Sequence, residues 1–352
     1  MGRKRVLIGM SGGVDSAAAA ALLLEAGYEA VGCTLRLYDG GEPGRCCSLE
    51  DVEDARAAAR RLGMEFYVFN FTDLFRREVM DAFAADYRRG RTPNPCVQCN
   101  KRVKFDALLR RADELDIDWI ATGHYARVER AEGRWRLLRG LDRRKDQSYV
   151  LYPLTQRQLS RLLLPVGAYE KAAVRALAAE RGLLNAAKPD SQDICFVPDG
   201  DYSAFLQRRG DVEFLPGDFV DAAGNVLGRH RGLARYTTGQ RRGLGVSADR
   251  PLYVVGKDLA SNRVILGDEA DLCSRTVWAE DFNWISVDPG PMAVTAKTRY
   301  SQTEAPAWLY PEGDGLVRAV FDQPQRAVTP GQSLVAYAGD AVAGGGVICR
   351  AE

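Results

Sequence analysis

The chain has only two histidines among 352 residues, and it lacks any long run of apolar residues. Its longest apolar run, residues 17–24, is Ala-rich and far shorter than the ~20 residues of a membrane-spanning helix. Two histidines cannot build a histidine-rich zinc site, although one could join thiolates. An excess of charge is also missing, because 48 Lys plus Arg face 47 Asp plus Glu and leave a net charge of +1. This balance excludes a globally basic nucleic-acid binder but is compatible with a local basic face.

No secretory signal is evident, because the basic N-terminus runs straight into a strand-like segment without a cleavage-type site. We therefore expect a mature cytoplasmic chain with no membrane attachment. In that compartment the eight cysteines are expected to be catalytic, metal-binding or buried thiols, not a disulfide framework. With 46% hydrophobic and 27% charged residues, the composition predicts an ordinary globular protein with a sizeable core.

Strand-like and helix-like segments alternate over the first two-fifths of the chain, which predicts an α/β fold with a doubly wound parallel sheet. The predicted strands are 5–10, 28–36, 65–70 and 119–123, and the predicted helices are 15–26, 51–62, 74–88 and 101–115. Residues 149–184 indicate further helices. Short β-like runs follow from about residue 212. We predict an α/β catalytic domain with a helical insert (1–208), a small central β-rich domain (209–272) and a C-terminal β-barrel (273–352).

The sequence SGGVDS at 11–16 follows a predicted strand and opens a predicted helix. Two glycines let a ligand approach the backbone, and a helix N-terminus attracts anions. The carboxylate of Asp15 beside a phosphate site suits Mg²⁺. Without a GK[ST] sequence this is not a Walker P-loop. The alternative is a tight structural turn in which Asp15 or Ser16 caps the helix.

Cys96 and Cys99 lie in the proline-stiffened sequence RTPNPCVQCN at 91–100. Asn100 is a plausible N-cap of the following helix, which would place Cys99 at a helix N-terminus in a setting that favours the thiolate. A single CxxC leaves a zinc site, a redox pair and a cluster ligand open. Cys46 and Cys47 could complete a four-thiolate site. Cys195 lies in DSQDICF at 190–196, and nothing in the local sequence indicates whether it meets Cys99 in space. Cys33, Cys273 and Cys349 are expected to be small buried residues.

Six segments in order resemble the bacterial tRNA-specific 2-thiouridylases, and SGGVDS resembles the PP-loop of ATP pyrophosphatases. The segments are SGGVDS (11–16), GRTPNPCVQCNKRVKF (90–105), ATGHYAR (121–127), KDQSYVLY (145–152), PDSQDICFVPDGDY (189–202) and YTTGQRRGLG (236–245). The resemblance implies ATP-dependent adenylation of the wobble uridine 2-oxygen, followed by sulfur transfer. It also implies Mg²⁺ as a cofactor, tRNA as the substrate, and a persulfide donor such as a cysteine desulfurase or a sulfur relay protein.

The resemblance also assigns roles to individual residues. Cys195 would carry the persulfide, Cys99 would be the nucleophile that releases the sulfur, and Asp15 would serve adenylation. The ATP contacts would be Gly9, Met10, Ser11, Gly12, Gly13, Val14, Asp15, Ser16, Leu35 and Gly123. Leu35 stands where many members have Met, an apolar exchange that such a site tolerates. The tRNA contacts would be Asn94, Pro95, Cys96, His124, Lys145, Asp146, Gln147, Arg299, Tyr300 and Gln332. For His124 a structural, hydrogen-bonded histidine is the alternative.

Cys96 departs from the family pattern, because many members have Asp at that position. Two mechanisms therefore compete. In one, Cys99 and Cys195 cycle through a persulfide and a disulfide. In the other, Cys96, Cys99 and Cys195 hold a [4Fe–4S] cluster that binds the sulfur.

Basic clusters next to these motifs, at 88–91 and 143–145, are expected to bind tRNA, whereas Arg110 and Arg111 are expected to lie on a solvated helix face. Two other functions also remain open. A PP-loop ligase or amidotransferase acting on a small metabolite would explain SGGVDS alone. A non-enzymatic, metal-bound RNA-binding module would explain the cysteines and arginines but not the nucleotide loop.

Overall fold

A computed structural model describes residues 4–38, 49–183, 194–197, 200–210 and 212–352. The strands of the first part of the chain are β1 (Arg5–Gly9), β2 (Glu29–Arg36), β3 (Phe66–Asn70), β4 (Trp119–Thr122), β5 (Ala126–Ala131), β6 (Arg134–Arg139) and β7 (Leu162–Leu163). The helices are α1 (Val14–Glu25), α2 (Leu49–Arg61), α3 (Thr72–Phe75), α4 (Ala82–Arg88), α5 (Pro95–Gln98), α6 (Phe105–Glu114), α7 (Gln156–Leu159), α8 (Lys171–Glu180) and α9 (Tyr202–Arg209).

The first part is built on a parallel sheet of order β3-β2-β1-β4-β7, which confirms the predicted α/β class. Both faces of this sheet are buried. Val6 and Ile8 pack in one cluster with Ala17 of α1, whereas Leu7 packs in another with Leu108 of α6. Alternate residues of a strand point to opposite faces of the sheet. Because both faces are buried here, β1 is a continuous apolar run and does not alternate between apolar and polar residues. Its carboxyl end leads into the SGGVDS loop.

Two of the predicted helices are longer than expected, because a π-helical stretch joins shorter α-helices. Residues Arg76–Asp81 connect α3 to α4, and residues Cys99–Lys104 connect α5 to α6. The expectation of helices throughout 149–184 is only partly correct. That region contains two 3₁₀ turns, the short helix α7, the edge strand β7 and helix α8.

Strands β5 and β6 form an antiparallel hairpin that the sequence patterns did not predict. Its turn has positive φ at both Glu132 (52°) and Gly133 (77°), which matches the right-handed twist of a two-residue hairpin. Strand β6 then pairs with a strand of the C-terminal barrel. Both strands contain several charged residues, so the sequence does not show the apolar pattern that is typical of strands.

The rest of the chain consists of two β units. Strands β8 (Gly217–Val220), β9 (Val226–His230), β10 (Tyr253–Asp258) and β11 (Arg263–Gly267) form a sheet of order β10-β11-β8-β9. Strands β12 (Cys273–Trp284), β13 (Met292–Lys297), β14 (Ala305–Gly313), β15 (Leu316–Arg326), β16 (Ser333–Ala338) and β17 (Ala341–Ala351) follow in the order β12-β15-β14-β13-β16-β17. Because β17 also pairs with β12, these six strands close into the predicted barrel.

Within the described ranges, no helix combines the length and the apolar character that crossing a membrane requires.

Candidate active site

The hydroxyl group of Ser16 closes the loop between β1 and α1. It donates to the carbonyl oxygen of Gly13 (3.0 Å) and accepts from the backbone N–H of Ser11 (3.2 Å). Helix α1 begins at Val14, and its N-cap residue is Gly13, which has no side chain to cap the helix. The expectation that Asp15 or Ser16 is the N-cap of this helix is therefore wrong. The first turn of α1 instead faces the loop as an anion-attracting helix end.

Two glycines bring neighbouring backbone onto this loop. Gly12 has a φ of +75°, and a Cβ atom there would collide with the backbone of Asp51 in α2. A Cβ atom at Gly123, at the end of β4, would lie 2.7 Å from backbone atoms of Asp15 and Ser16. The predicted nucleotide residues Gly12 and Gly123 are thus required by close backbone packing.

The carboxylate of Asp15 is bound by two residues that the sequence patterns did not single out. Tyr125 Oη donates to Asp15 Oδ1 (2.8 Å), and Lys171 Nζ lies 2.6 and 2.8 Å from the two carboxylate oxygens. The Lys171 side chain is only 11% exposed. Tyr125 belongs to the ATGHYAR segment, which could have indicated it. Lys171 begins an Ala-rich helix and has no local signal, because its contact with Asp15 arises from helix packing.

Residues 142–147, which include three predicted tRNA contacts, are hydrogen-bonded to both partners of Asp15. The side chain of Gln147 accepts from the backbone N–H of Tyr125 (2.9 Å), and the backbone N–H of Gln147 donates to the carbonyl oxygen of Tyr125 (2.8 Å). The backbone N–H of Lys171 donates to Asp142 Oδ2 (3.1 Å). The backbone N–H of Lys145 donates to the carbonyl oxygen of Asp142 (3.1 Å). The nucleotide loop and the segment expected to bind tRNA are therefore connected through Tyr125 and Lys171.

Two other predicted residues lie at strand ends near this loop. Leu35 is partly buried near the end of β2 and pairs with Phe69 of β3. His124 follows β4, and its Nδ1 is 2.8 Å from Thr122 Oγ1. Burial, reinforced by the charge of Lys104, lowers the pKa of His124 to about 3. His124 is therefore neutral at physiological pH and hydrogen-bonded, as the structural alternative expects.

The cysteine loop begins a helix earlier than the sequence indicated. Asn94 is the N-cap, since its side chain accepts from the backbone N–H of Cys96 (3.1 Å), and Pro95 occupies the first helical position. The expectation that Asn100 caps the helix is wrong: Asn100 is buried in the π-helical stretch and donates to the carbonyl oxygen of Val150 (3.0 Å). Cys96 is consequently the exposed thiol in the first turn, and Cys99 is the buried one a turn further along.

Cys99 and Cys195 belong to the same hydrophobic cluster, a link that the sequence could not supply. Cys99 is 6% exposed, and Cys195 is partly buried against the cluster. Phe196 anchors this second segment, because its ring packs edge-on against Phe75 (5.7 Å) and Phe83 (5.3 Å). Residues 184–193, which include the start of the second cysteine motif, lie outside the described residues, as do Cys46 and Cys47.

Cys96, Cys99 and Cys195 are the three thiols that could hold an iron–sulfur cluster. A cluster of this kind needs its cysteine ligands gathered around one point. Over the described ranges, which contain Cys96, Cys99 and Cys195, no group of three or more His, Cys, Asp or Glu side chains is arranged to hold a metal ion. The arrangement does not fit a preformed three-cysteine cluster site.

The C-terminal barrel holds the entrance to the cysteine loop. The backbone N–H of Thr92 donates to the carbonyl oxygen of Pro330 (2.9 Å), and the side chain of Gln332 donates to the carbonyl oxygen of Thr92 (2.7 Å). Arg91 forms an ion pair with Glu280 of β12 (2.6 Å). Gln332, expected from the resemblance to contact tRNA, thus binds the backbone just before Asn94.

Arg299 and Tyr300 occupy different environments although they are adjacent. Arg299 is half-buried and donates to Thr329 Oγ1 (2.9 Å) and to the carbonyl oxygen of Ala327. Tyr300 is 44% exposed and donates to the carbonyl oxygen of Asp146 (3.2 Å). Burial, then the nearby charges of Asp146 and Cys96, raise the pKa of Tyr300. Tyr300, Asp146 and Cys96 therefore lie together, whereas Arg299 mainly joins parts of the barrel.

The other described cysteines, Cys33, Cys273 and Cys349, differ in how far they are buried. Cys33 is fully buried, as expected, and burial raises its pKa. The same expectation is wrong for Cys273, which is exposed at the start of β12. Cys349 is partly buried and its thiol donates to the carbonyl oxygen of Trp278 (3.4 Å). Cys273 thus provides a thiol remote from the cysteine loop.

Three family models match the chain in succession. They are the tRNA methyl transferase HUP domain over residues 4–199, the tRNA methyl transferase PRC-barrel domain over residues 203–268, and the aminomethyltransferase beta-barrel domain over residues 274–348. Together they span all three units of the structure.

Among curated proteins, several relatives match along their whole length. The tRNA-specific 2-thiouridylase MnmA of Acetivibrio thermocellus is 51% identical over 358 residues, covering 99% of this chain and 100% of the relative. The protein of the same name from Moorella thermoacetica is 52% identical, with 97% and 98% covered. That of Clostridioides difficile is 46% identical, with 98% of both chains covered.

Solved structures match only part of the chain. The U34-tRNA thiolase NcsA from Methanococcus maripaludis with its [4Fe–4S] cluster is 18% identical, with a TM-score of 0.36, over 60% of this chain and 73% of that one. A 4-thiouridine synthetase in an RNA complex with bound ATP is 19% identical, with a TM-score of 0.37, over 58% and 50%. Similarities this weak carry no argument about the present chain.

Proposed function

Because the chain belongs to the tRNA-specific 2-thiouridylase family, it is a tRNA-uridine sulfurtransferase, and we propose that it makes 2-thiouridine at the wobble position. ATP first adenylates the uridine 2-oxygen, and a protein-bound persulfide then replaces that oxygen with sulfur. The products are 2-thiouridine, AMP and pyrophosphate. The observation that carries the proposal is the packing of Cys99 and Cys195 into one cluster, since two thiols that exchange sulfur must meet.

ATP and Mg²⁺ are the nucleotide and metal that this family uses, and the loop at residues 11–16 suits both. Mg²⁺ takes one or two carboxylates and completes its shell with phosphate oxygens and water, so Asp15 would hold it together with the nucleotide. The bound ion would neutralise charge on the phosphates. The nucleotide itself would contact Gly9, Met10, Ser11, Gly12, Gly13, Val14, Asp15, Ser16, Leu35 and Gly123.

In the adenylation step, the uridine 2-oxygen attacks the α-phosphorus of ATP. The new P–O bond forms while the bond to the bridging oxygen of the β-phosphate breaks, and its electron pair leaves with pyrophosphate. The N3 proton of the uridine passes to water. The N-terminal turn of α1 directs its dipole at this charge, which supports stabilisation of the leaving group.

In the sulfur-transfer step, Cys195 carries the persulfide. Its terminal sulfur attacks ring carbon 2 while the Cys99 thiolate attacks the Cys195 sulfur, so the persulfide S–S bond breaks. The electron pair of that bond goes to the sulfur now joined to carbon 2, and AMP leaves. A disulfide between Cys99 and Cys195 results, and a thiol reductant restores both thiols.

The cluster mechanism, in which Cys96, Cys99 and Cys195 would hold [4Fe–4S], is less well supported. The described side chains contain no preformed three-ligand group, although Cys96 replaces the Asp of many family members. Anaerobic purification followed by iron and sulfide analysis separates the two mechanisms. A colourless, iron-free protein with full activity supports the persulfide, and activity that scales with bound iron overturns it.

The tRNA substrate would bind across the first unit and the barrel. Asn94, Pro95 and Cys96 form the start of the helix that carries the cysteines, and Cys96 is its exposed residue. Tyr300 contacts Asp146, and the charge of Cys96 helps to raise the Tyr300 pKa. An exposed aromatic ring there is suited to receive a base turned out of the anticodon stack, at an unstacking cost of about a few kcal/mol. Lys145, Gln147, His124, Arg299 and Gln332 are the other proposed contacts.

The sulfur donor would be a persulfide-bearing protein such as a cysteine desulfurase or a sulfur relay protein, and we place the reaction in the cytoplasm. We also propose the domain boundaries 1–208, 209–272 and 273–352. The succession of three family matches, at 4–199, 203–268 and 274–348, supports this division.

The deciding experiment is mass analysis of tRNA nucleosides after incubation with ATP, Mg²⁺ and a persulfide donor. The wild-type protein and the control Cys273→Ser should form 2-thiouridine, whereas Cys99→Ser and Cys195→Ser should form none. Unchanged nucleosides with the wild-type protein would overturn the proposal. Pyrophosphate release without tRNA would then favour a small-metabolite ligase, and no release at all would favour an RNA-binding module.

A further inference from the structure

Helices α1 and α8 lie side by side and run in the same direction. Their first turns are joined by Asp15 and Lys171, and their last turns by the ion pair of Glu25 with Arg181. Lys171 is the first residue of α8, and Arg181 is its C-cap. Because the N-terminus of α1 contacts the N-terminus of α8, and their C-termini also contact each other, the positive ends of both helix dipoles meet at the nucleotide loop.

This arrangement concentrates positive charge at one point. A cation at a helix N-terminus is unfavourable, since the dipole there already favours an anion. Lys171 nevertheless occupies the first position of α8 beside the first turn of α1, and its side chain is 11% exposed. One carboxylate, Asp15, faces one ammonium group and two positive helix ends. The local balance favours a further anion.

The backbone of Lys171 is also fixed by a hydrogen bond. Its N–H donates to Asp142 Oδ2 (3.1 Å), so the start of α8 is tied to the segment that carries Lys145 and Gln147. Tyr125 fixes Asp15 from the other side by donating to Oδ1 (2.8 Å). The ammonium group is therefore positioned before any substrate binds, which is how a group that stabilises developing charge is most effective.

We propose that Lys171 is a catalytic residue of adenylation: its ammonium group contacts the phosphates of ATP and stabilises the negative charge that develops on departing pyrophosphate. This inference rests on the proposed function. No electrons are exchanged with the protein. The uridine 2-oxygen bonds to the α-phosphorus, the bond to the bridging oxygen breaks, and Lys171 stays protonated while it pairs with the leaving group.

The test compares Lys171→Met and Lys171→Arg with the matched control Arg181→Met, which removes the exposed ion pair at the other end of the same two helices. Three quantities are measured for each variant: tRNA-dependent pyrophosphate release, the ATP-induced rise in Tm, and tRNA affinity. We expect Lys171→Met to lower kcat for pyrophosphate release about 100-fold and to lose the ATP-induced rise in Tm, with tRNA affinity within twofold. Arg181→Met should stay within twofold of wild type in all three.

Lys171→Arg keeps the charge and should recover part of the lost kcat. If Lys171→Met fails to fold, Lys171→Gln, which removes the charge but keeps a polar side chain, decides instead: a tenfold or greater loss of kcat at unchanged Tm supports the proposal, and wild-type kcat overturns it. A folded Lys171→Met protein with kcat within threefold of wild type also overturns it. If the wild-type protein itself releases no pyrophosphate with tRNA, the proposed function fails instead.

Discussion

The side-chain amide of Gln332 donates a hydrogen bond to the backbone carbonyl oxygen of Thr92, 2.7 Å away. Gln332 belongs to the C-terminal barrel, whereas Thr92 precedes the helix that carries Cys96 and Cys99. A second bond, from the N–H of Thr92 to the carbonyl oxygen of Pro330, runs in the opposite direction. The barrel therefore binds both backbone polar groups of one residue, Thr92, at the base of the cysteine loop.

Replacement of Gln332 by Ala should slow sulfur transfer more than adenylation. A lost hydrogen bond of this kind is worth about 1 kcal/mol, which corresponds to a decrease of about fivefold in thiolation rate. The measurement is single-turnover formation of 2-thiouridine beside pyrophosphate release. Gln323→Ala, an exposed glutamine of the same barrel, is the control and should change neither rate. A parallel loss of tRNA affinity would show that Gln332 contacts tRNA instead of holding the loop.

The two chemical steps should be separable by substitution. Asp15→Ala removes the carboxylate beside the nucleotide loop and should abolish tRNA-dependent pyrophosphate release. Cys99→Ser and Cys195→Ser should still release pyrophosphate in a first turnover, because neither thiol takes part in the attack on ATP, but should form no 2-thiouridine. Quantifying both products in one reaction checks this order. Thiolation in the absence of pyrophosphate release would contradict it.

Neutralising the basic segment next to the KDQ motif should weaken tRNA binding. Arg143 is half-exposed and shares Asp340 with Arg127, so its charge is partly compensated, whereas Arg144 is exposed. We expect the Arg143→Gln, Arg144→Gln double variant to raise the Kd for tRNA and to reduce the slope of log K against log salt by about 1 per lost phosphate contact. Arg110→Gln, on an exposed helix face, is the control. An unchanged slope in the double variant argues against a tRNA contact.

His124 should make folding less favourable as the pH falls below neutrality. Its pKa is about 3 in the folded protein and about 6.5 when unfolded, so between these values only the unfolded chain binds the proton. The contribution is complete above pH 6.5 and should fall by about 1 kcal/mol between pH 6.5 and 5.5. Urea titrations at both pH values measure the free energy of unfolding of the wild-type protein and of His124→Gln. An equal change with pH in the two proteins would contradict the prediction. His230 has a lowered pKa from burial and should leave a residual slope of the same sign.

Features formed by residues that are neighbours in the sequence could be predicted from the sequence alone. The SGGVDS loop, the apolar strand before it and the helix after it could be predicted, because a turn, a strand and a helix start are properties of neighbouring residues. The start of the cysteine helix could have been predicted but was not, since Asn94 followed by Pro95 is a stronger helix start than Asn100. The expectation for Asn100 considered only the residue next to the basic stretch.

Contacts between remote elements could not be predicted in this way. Asp15 binds Lys171 because α1 and α8 pack in parallel, and Cys99 shares a hydrophobic cluster with Cys195 because Phe196 packs against Phe83 within it. Neither contact leaves a trace in spacing or periodicity. The hairpin β5–β6 was missed for a related reason: its strands are rich in arginine, and their partner lies near the far end of the chain.

The pairing of β6 with β17 has a consequence for biosynthesis. Ala341 and Leu138 are register partners, so the last strand of the chain completes a sheet that begins in the first unit. Until β17 has been synthesised, one edge of β6 has no partner strand, and an unpaired edge is a template for association with other chains. The nascent amino-terminal unit therefore exposes a strand edge for as long as the barrel that covers it is still being made.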